Sequence, residues 1–299
     1  MSNQIRYSFK KERAQFFRTF KFWGIVLAIF GIAIANPLMY KMSGMLFRQL
    51  ADDRQPTTMT IQASVMADPE GSLDDLLGGL GIGDMAEMYS RADSTLSLSL
   101  VSLASYSLLI ILLVMMPVAG GEQKKRAMIV PQCSGLKFKS YLVPKFVIYP
   151  LSVFALTFLG GLTAGGLCNS LFDVGRVSFG MIAFGSLLIA VYLSFIVTVY
   201  LSLGLCTSRP GIMVGTVFIG QLFLQTMLDG MGLGDYQPFT TITMVSVMFA
   251  PEYDLAAKMP SILTAIGLSA VIGVLMFFLA LAVLNAKKID NQEEEKPAF

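Results

Sequence analysis

Between the charged positions of this chain lie six runs in which at least 19 consecutive residues include no Asp, Glu, Lys or Arg: 22–40, 94–121, 146–172, 177–208, 210–228 and 259–286. Built as helices that rise about 1.5 Å per residue, each reaches across a hydrocarbon core of roughly 30 Å. Helices of water-soluble domains keep one polar face, which these runs lack. The pattern predicts an all-α, polytopic membrane protein with six transmembrane helices and a single membrane domain over 1–299.

Two weaker patterns sit beside the six runs. Residues 4–20 bring Ile5, Phe9, Phe16 and Phe20 to one helical face, with Lys10, Arg13 and Lys21 toward the other. This is the pattern of an amphipathic helix lying in the headgroup layer ahead of the first span, and it predicts such a helix over 1–21. Residues 236–251 form a seventh charge-free stretch, but as a helix it measures only about 24 Å and it is bounded by Pro238 and Pro251. A seventh crossing would also invert the sidedness of Lys287 and Lys288. The stretch therefore reads as a re-entrant or interfacial helical hairpin within 229–258, between spans five and six.

Sidedness follows from Lys and Arg, which accumulate on the cytoplasmic side. Six precede the first span, six lie between spans two and three (Lys124, Lys125, Arg126, Lys137, Lys139, Lys145), Arg209 follows span four and three follow span six. Alternate sides total 16 and 6. Both termini, including the tail 287–299, are expected in the cytoplasm. The acidic stretch 48–93 is expected outside; between Lys41 and Asp93 nine acids face four bases.

Composition narrows the chemistry. Charged residues are 14% of the 299, and the mean hydropathy is +0.66. Soluble chains carry about a quarter charged residues, so lipid is the expected solvent. No histidine is present, which removes His-based acid–base catalysis and imidazole metal ligation. Three separated cysteines give no disulfide framework. No nucleic-acid partner is implied. The first apolar run lacks a clear cleavage site and reads as a retained span.

The loop 119–145 holds the most specific pattern. Gly120 and Gly121 close span two, Glu122 to Val130 is long enough for two helical turns, and Pro131 stops it. Ser134-Gly135 turns the chain, and a basic, aromatic segment leads into span three. Two readings stand side by side: a short helix that a partner pushes, or a positively charged loop against lipid headgroups.

The order of these parts resembles a permease subunit of the ABC transporter superfamily, type 2 exporter class. Glu122, Pro131, Ser134, Lys139, Tyr141, Leu142 and Lys145 are similar to that family's acid, helix, Pro-Ser turn and basic return into the membrane. The resemblance implies a cytoplasmic elbow helix at 1–21 and a coupling helix that docks a separate ATPase subunit. The residues it implies for docking are Glu122, Gln123, Lys124, Lys125, Arg126, Met128, Pro131 and Ser134. It further implies a second permease subunit (the same chain or a related one), a bacterial plasma membrane, and export of a hydrophobic or peptide-like cargo. The chain has no phosphate-loop motif, so ATP and Mg would be bound by the partner and no cofactor by this chain. The permease itself is then not an enzyme.

Three alternatives remain on the sequence. Gly81-Ile82-Gly83-Asp84 and Gly232-Leu233-Gly234-Asp235 resemble the intramembrane aspartyl protease motif, yet neither aspartate falls in a span and turns explain the glycines. A secondary carrier or channel usually shows buried charge and internal repeats, and the charge-free runs hold none. A membrane scaffold is the third. Gly161-x-x-x-Gly165 and Gly211-x-x-x-Gly215 suit close helix packing, either between subunits or within one. The 19 Met and 22 Phe suit an adaptable cargo path or ordinary lipid packing.

Overall fold

The computed structural model describes residues 2–52, 87–121, 137–207, 209–250 and 253–294. These residues are helical almost throughout. Helix α1 runs Ser2–Phe17, α2 Phe20–Asp52, α3 Ala92–Met116, α4 Phe138–Leu171 and α5 Phe179–Cys206. Then come α6 at Pro210–Gly230, the short α7 at Thr240–Val247 and α8 at Leu255–Glu294. A π-helical turn, Pro117–Gly121, extends α3, and a 3₁₀ turn covers Gly234–Tyr236.

Six of these helices (α2, α3, α4, α5, α6 and α8) are long and apolar enough to cross a membrane. Their limits follow the charge-free runs closely for α3, α5 and α6. The other three exceed theirs. Helix α2 continues through Lys41 and Arg48, α4 begins at Phe138 and so takes in Lys139 and Lys145, and α8 runs on beyond Lys288. Charge delimits where a helix leaves lipid, whereas hydrogen bonding carries the helix on until the backbone is broken. The 8-residue α7 is about 12 Å long, far short of a crossing.

The bundle is centred on α3 and α5. Leu96, Leu100, Leu103, Leu108, Ile111 and Leu112 of α3 are buried against Leu188, Ile189, Leu193, Val197, Tyr200 and Leu201 of α5. Helix α4 packs most extensively on α5, and glycines set that approach. A Cβ at Gly161 would lie 2.5 Å from Ser186 Oγ, one at Gly165 would overlap Ile182, and one at Gly160 would meet Ile29 of α2. The Gly161-x-x-x-Gly165 step is thus consumed inside the chain. In the other pair, a Cβ at Gly211 would come within 3.6 Å of the Met116 sulfur, whereas Gly215 faces open space.

Contacts sort the helix ends into two groups. The end of α3 meets the end of α5 where Ala119 touches Gly204. Phe138, Tyr141 and Leu142 at the start of α4 pack with Leu205 and with Leu284 late in α8. Helix α1 lies against this same end. At the opposite end, Ala92 N–H donates to the Val174 carbonyl at 2.8 Å, and Ser97 Oγ donates to the Ser246 carbonyl at 2.7 Å. The six long helices therefore alternate in direction, and both limits of the described chain share one end.

Candidate coupling site and membrane cavity

Helix α1 turns its inner face to the start of α4. Ser8, Glu12 and Phe16 are buried, Ile5 and Phe9 half-buried, and Tyr7, Lys10 and Arg13 exposed. Phe20, placed on the apolar face by its spacing, is 82% exposed, because α1 ends at Phe17 and the turn at Arg18-Thr19 rotates it outward. The apolar face thus contains a carboxylate. Glu12 Oε1 lies 3.0 Å from Lys145 Nζ, and the Tyr149 hydroxyl donates to Glu12 Oε2 at 3.1 Å. The Lys145 ammonium also sits 4.8 Å from the centre of the Tyr141 ring. Phe16 meets Tyr149 edge to face at 4.9 Å and seals the pair from the corner where α1 passes into α2.

Only 1% of the Lys145 side chain and 3% of the Glu12 side chain is exposed. Two charges this deeply placed persist because each neutralises the other, and removing one strands its partner at a cost of about 3–5 kcal/mol. Their position is set by α4 itself. Lys145 and Tyr149 are one helical turn apart, so both reach the same side. Pro144 and Pro150, inside the same helix, withdraw two backbone donors next to the pair.

The predicted docking residues Glu122, Gln123, Lys124, Lys125, Arg126, Met128, Pro131 and Ser134 lie outside the described residues. Both roots of their loop are described. The π turn Pro117–Gly121 rests on Gly204, and Lys137 opens α4 into the cluster with Leu205 and Leu284. Lys145 is eight residues beyond Lys137, so the Glu12–Lys145 joint ties α1 directly to the stem of this loop. The sequence reading missed Glu12, Lys145 and Tyr149 as a unit. A signal was present: Glu12 is the one acid on the face that carries Phe9 and Phe16.

The opposite end has a different ion pair. The Arg91 guanidinium grips Asp93 with two bonds, 2.7 and 3.1 Å, and Ser94 N–H donates to the same carboxylate at 2.7 Å. This hydrogen bonding to Asp93 holds the Arg91 guanidinium above its usual range. Gly175, at φ 71°, passes so close that a Cβ there would lie 2.9 Å from Asp93 Oδ1. Asn169 closes the α4–α5 turn by bonding both backbone groups of Val177, at 2.7 and 3.0 Å. In the Gly-x-Gly-Asp stretch after α6, Gly232 takes φ 73°, a turn conformation that favours glycine. The other such stretch, 81–84, lies outside the described residues.

Two apolar cavities adjoin α5. One of about 490 Å³ lies between α5, α6, α8 and the segment 233–239, lined by Phe195, Val217, Gln221, Gln237, Phe239 and Ile272 among others. The second, about 480 Å³, lies between α4, α5 and α8. At the first, Tyr192 OH donates to Gln221 Oε1 at 2.9 Å, and Gln237 Nε2 donates to Asp229 Oδ1 at 2.6 Å. Among the described residues no cluster of three or more metal-ligating side chains is found.

No protein-family model, curated protein or solved structure matches the chain. What the fold defines is a class: a multi-pass, all-helical membrane protein with six spanning helices, of a build consistent with transport or conduction.

Proposed function

We propose that this chain is the membrane-spanning subunit of an ATP-driven transporter of the type 2 ABC exporter class. In this reading α1 is the elbow helix on the cytoplasmic face, and the loop 122–136 is the handle of a separate ATPase subunit. The observation that carries it is the buried Glu12–Lys145–Tyr149 joint. Force applied to the loop passes into α4, and through this joint into α1 and α2. A basic loop touching only lipid headgroups would need no such connection.

Two further features support the reading. Helix α6 is 21 residues, about 32 Å, whereas α5 is 28 residues, about 42 Å. The segment 231–250 fills the shortfall, with Phe239 folded back to 6.2 Å from Phe195, well inside α5. That suits a hairpin dipping in from the outer side. Second, the charge bias places the α1 end in the cytoplasm, where an ATPase would be found. Two such chains would pair, and nucleotide-driven closure of two ATPase subunits would shift the bundle between two states.

A carrier or channel is the second reading, favoured by Lys145, a buried charge within a spanning helix. Lys145 lies about 10 Å from the start of a helix roughly 51 Å long, which places it near one face and away from the midplane. The test is whether a phosphate-loop ATPase copurifies with this chain, followed by reconstitution of the two together. Charge reversal of Lys124, Lys125 and Arg126 together should abolish ATP-dependent export while the chain still inserts. Export that proceeds without any nucleotide-hydrolysing partner would refute the proposal.

A further inference from the structure

The apolar face of α1 is spent on protein. Glu12 and Phe16 are buried and Ile5 and Phe9 half-buried, so the face that a free amphipathic helix would dip into lipid packs against α4 instead. What α1 presents outward is charge. Residues one turn apart align along a helix, which gives two adjacent exposed rows. Arg6, Lys10, Arg13 and Phe17 form one, and Tyr7, Lys11, Ala14 and Arg18 the other. Neither row holds an acid. Among the described residues none of these five cations is in an ion pair, and Glu12, the one acid within α1, is committed to Lys145. Arg6 with Lys10 and Lys10 with Arg13 are like charges one turn apart, which repel. Their countercharge comes from outside the chain.

The rows lie at the edge of the membrane, because α1 is fixed there at two points. Glu12 is held by Lys145, about 10 Å into a helix roughly 51 Å long. A hydrocarbon core of about 30 Å centred on that helix leaves roughly 10 Å outside at either end, so Lys145 marks the core's boundary. The other point is the end of α1 at Phe17, five residues before the charge-free run of α2 opens at Phe22. Between these points α1 runs along the headgroup layer. Exposed aromatic rings agree with that level. Tyr7, within the cationic rows, is 72% exposed, and Trp23, just beyond the turn into α2, is 62% exposed. Rings of this kind gather where lipid meets water. The anions available at that level are lipid phosphates, and an acidic protein would have to displace them.

We infer that the exposed face of α1 binds the headgroups of anionic phospholipids through Arg6, Lys10, Lys11, Arg13 and Arg18, gathering them beside the start of α2. The apolar face is already used, so the attraction is between charges. It therefore depends on lipid charge and on salt, whereas a helix held by apolar insertion depends on neither to the same degree. The inference does not rest on the transport reading, since a six-span protein of any activity would show it.

The chain carries its own reporter, because Trp23 is its sole tryptophan. The test uses the full chain in phosphatidylcholine vesicles, with no ATPase and no nucleotide. Rising fractions of phosphatidylglycerol brominated in its acyl chains, which quenches tryptophan on contact, are compared with brominated phosphatidylcholine. The anionic lipid should halve Trp23 emission at a mole fraction at least about threefold below that of the zwitterionic one. Raising salt from about 0.1 M to about 1 M shortens the Debye length from about 10 Å to about 3 Å and should bring the two curves together. Replacing the five cations by Gln should do the same at low salt. All five are exposed, so the buried joint stays intact, and unchanged protease resistance of α1 checks that the variant is folded. Equal quenching by the two lipids in the unaltered chain overturns the inference and requires no variant; the face would then belong to an acidic protein or to solvent. So does a preference that survives both high salt and the five replacements. Failure of the ATPase test would leave this result standing, and the reverse also holds.

Discussion

The two ends of the bundle each carry a carboxylate–cation pair, and they behave as opposites. Arg91 and Asp93 are two residues apart, and the arginine side chain is 34% exposed. Asp93 keeps a backbone donor at Ser94 whatever happens to Arg91. Glu12 and Lys145 come from helices 133 positions apart and are sealed from solvent. The first pair is a local clip in the opening turn of α3. The second is the joint through which one helix is held to another, and its members have few substitutes. An ion pair matters in proportion to what is stranded when it is broken.

Breaking the buried pair should give the largest effect. Glu12→Ala should destabilise by about 3–5 kcal/mol and release α1, read as lowered thermal stability in detergent and as new protease cleavage within 1–18. Replacing both charges, Glu12→Met with Lys145→Leu, should restore most of the stability. If the double replacement is stable but transport is lost, the pair transmits motion as well as holding position. If Glu12→Ala leaves α1 protected, the joint is not what holds it.

Next in size is the glycine seam that supports the same helix. Gly161→Leu should cost roughly 1–3 kcal/mol by forcing α4 off Ser186, measured as a lower unfolding midpoint. Gly215→Leu, which meets nothing within 4 Å, should leave the isolated chain unchanged. A loss of self-association in that variant alone would mark α6 as the face where two chains meet. The smallest effect belongs to the Arg91–Asp93 clip: Arg91→Ala should leave the unfolding midpoint within measurement scatter, and a clear drop would make the two ends equivalent after all.

Much of the architecture was legible before any fold was known. The charge-free runs located α3, α5 and α6 nearly to the residue, because lipid excludes charge from everything it touches. The same criterion placed the start of span three too late. It treated Lys145 as a marker of the aqueous boundary, although a lysine paired with Glu12 belongs to the protein interior. The face of α1 was similarly half right. Its Phe9 and Phe16 point inward as spaced, but Phe20 lies beyond the end of α1 and faces outward. The proposed docking loop was read from a short pattern, and only its two roots have a described structure.

The sequence alone determined how many times the chain crosses the membrane and, through the distribution of lysine and arginine, which side is expected to hold its ends. Both are one-dimensional properties, since transfer into lipid is a sum over consecutive residues. Only the tertiary structure decided which small and polar residues serve contacts: that Gly161 and Gly165 are spent on α5, that Glu12 answers Lys145, and that Gln237 donates to Asp229. Those outcomes depend on which helix lies beside which. Hydrophobic patterning cannot express that choice, because most lipid-facing and helix-facing positions are apolar alike.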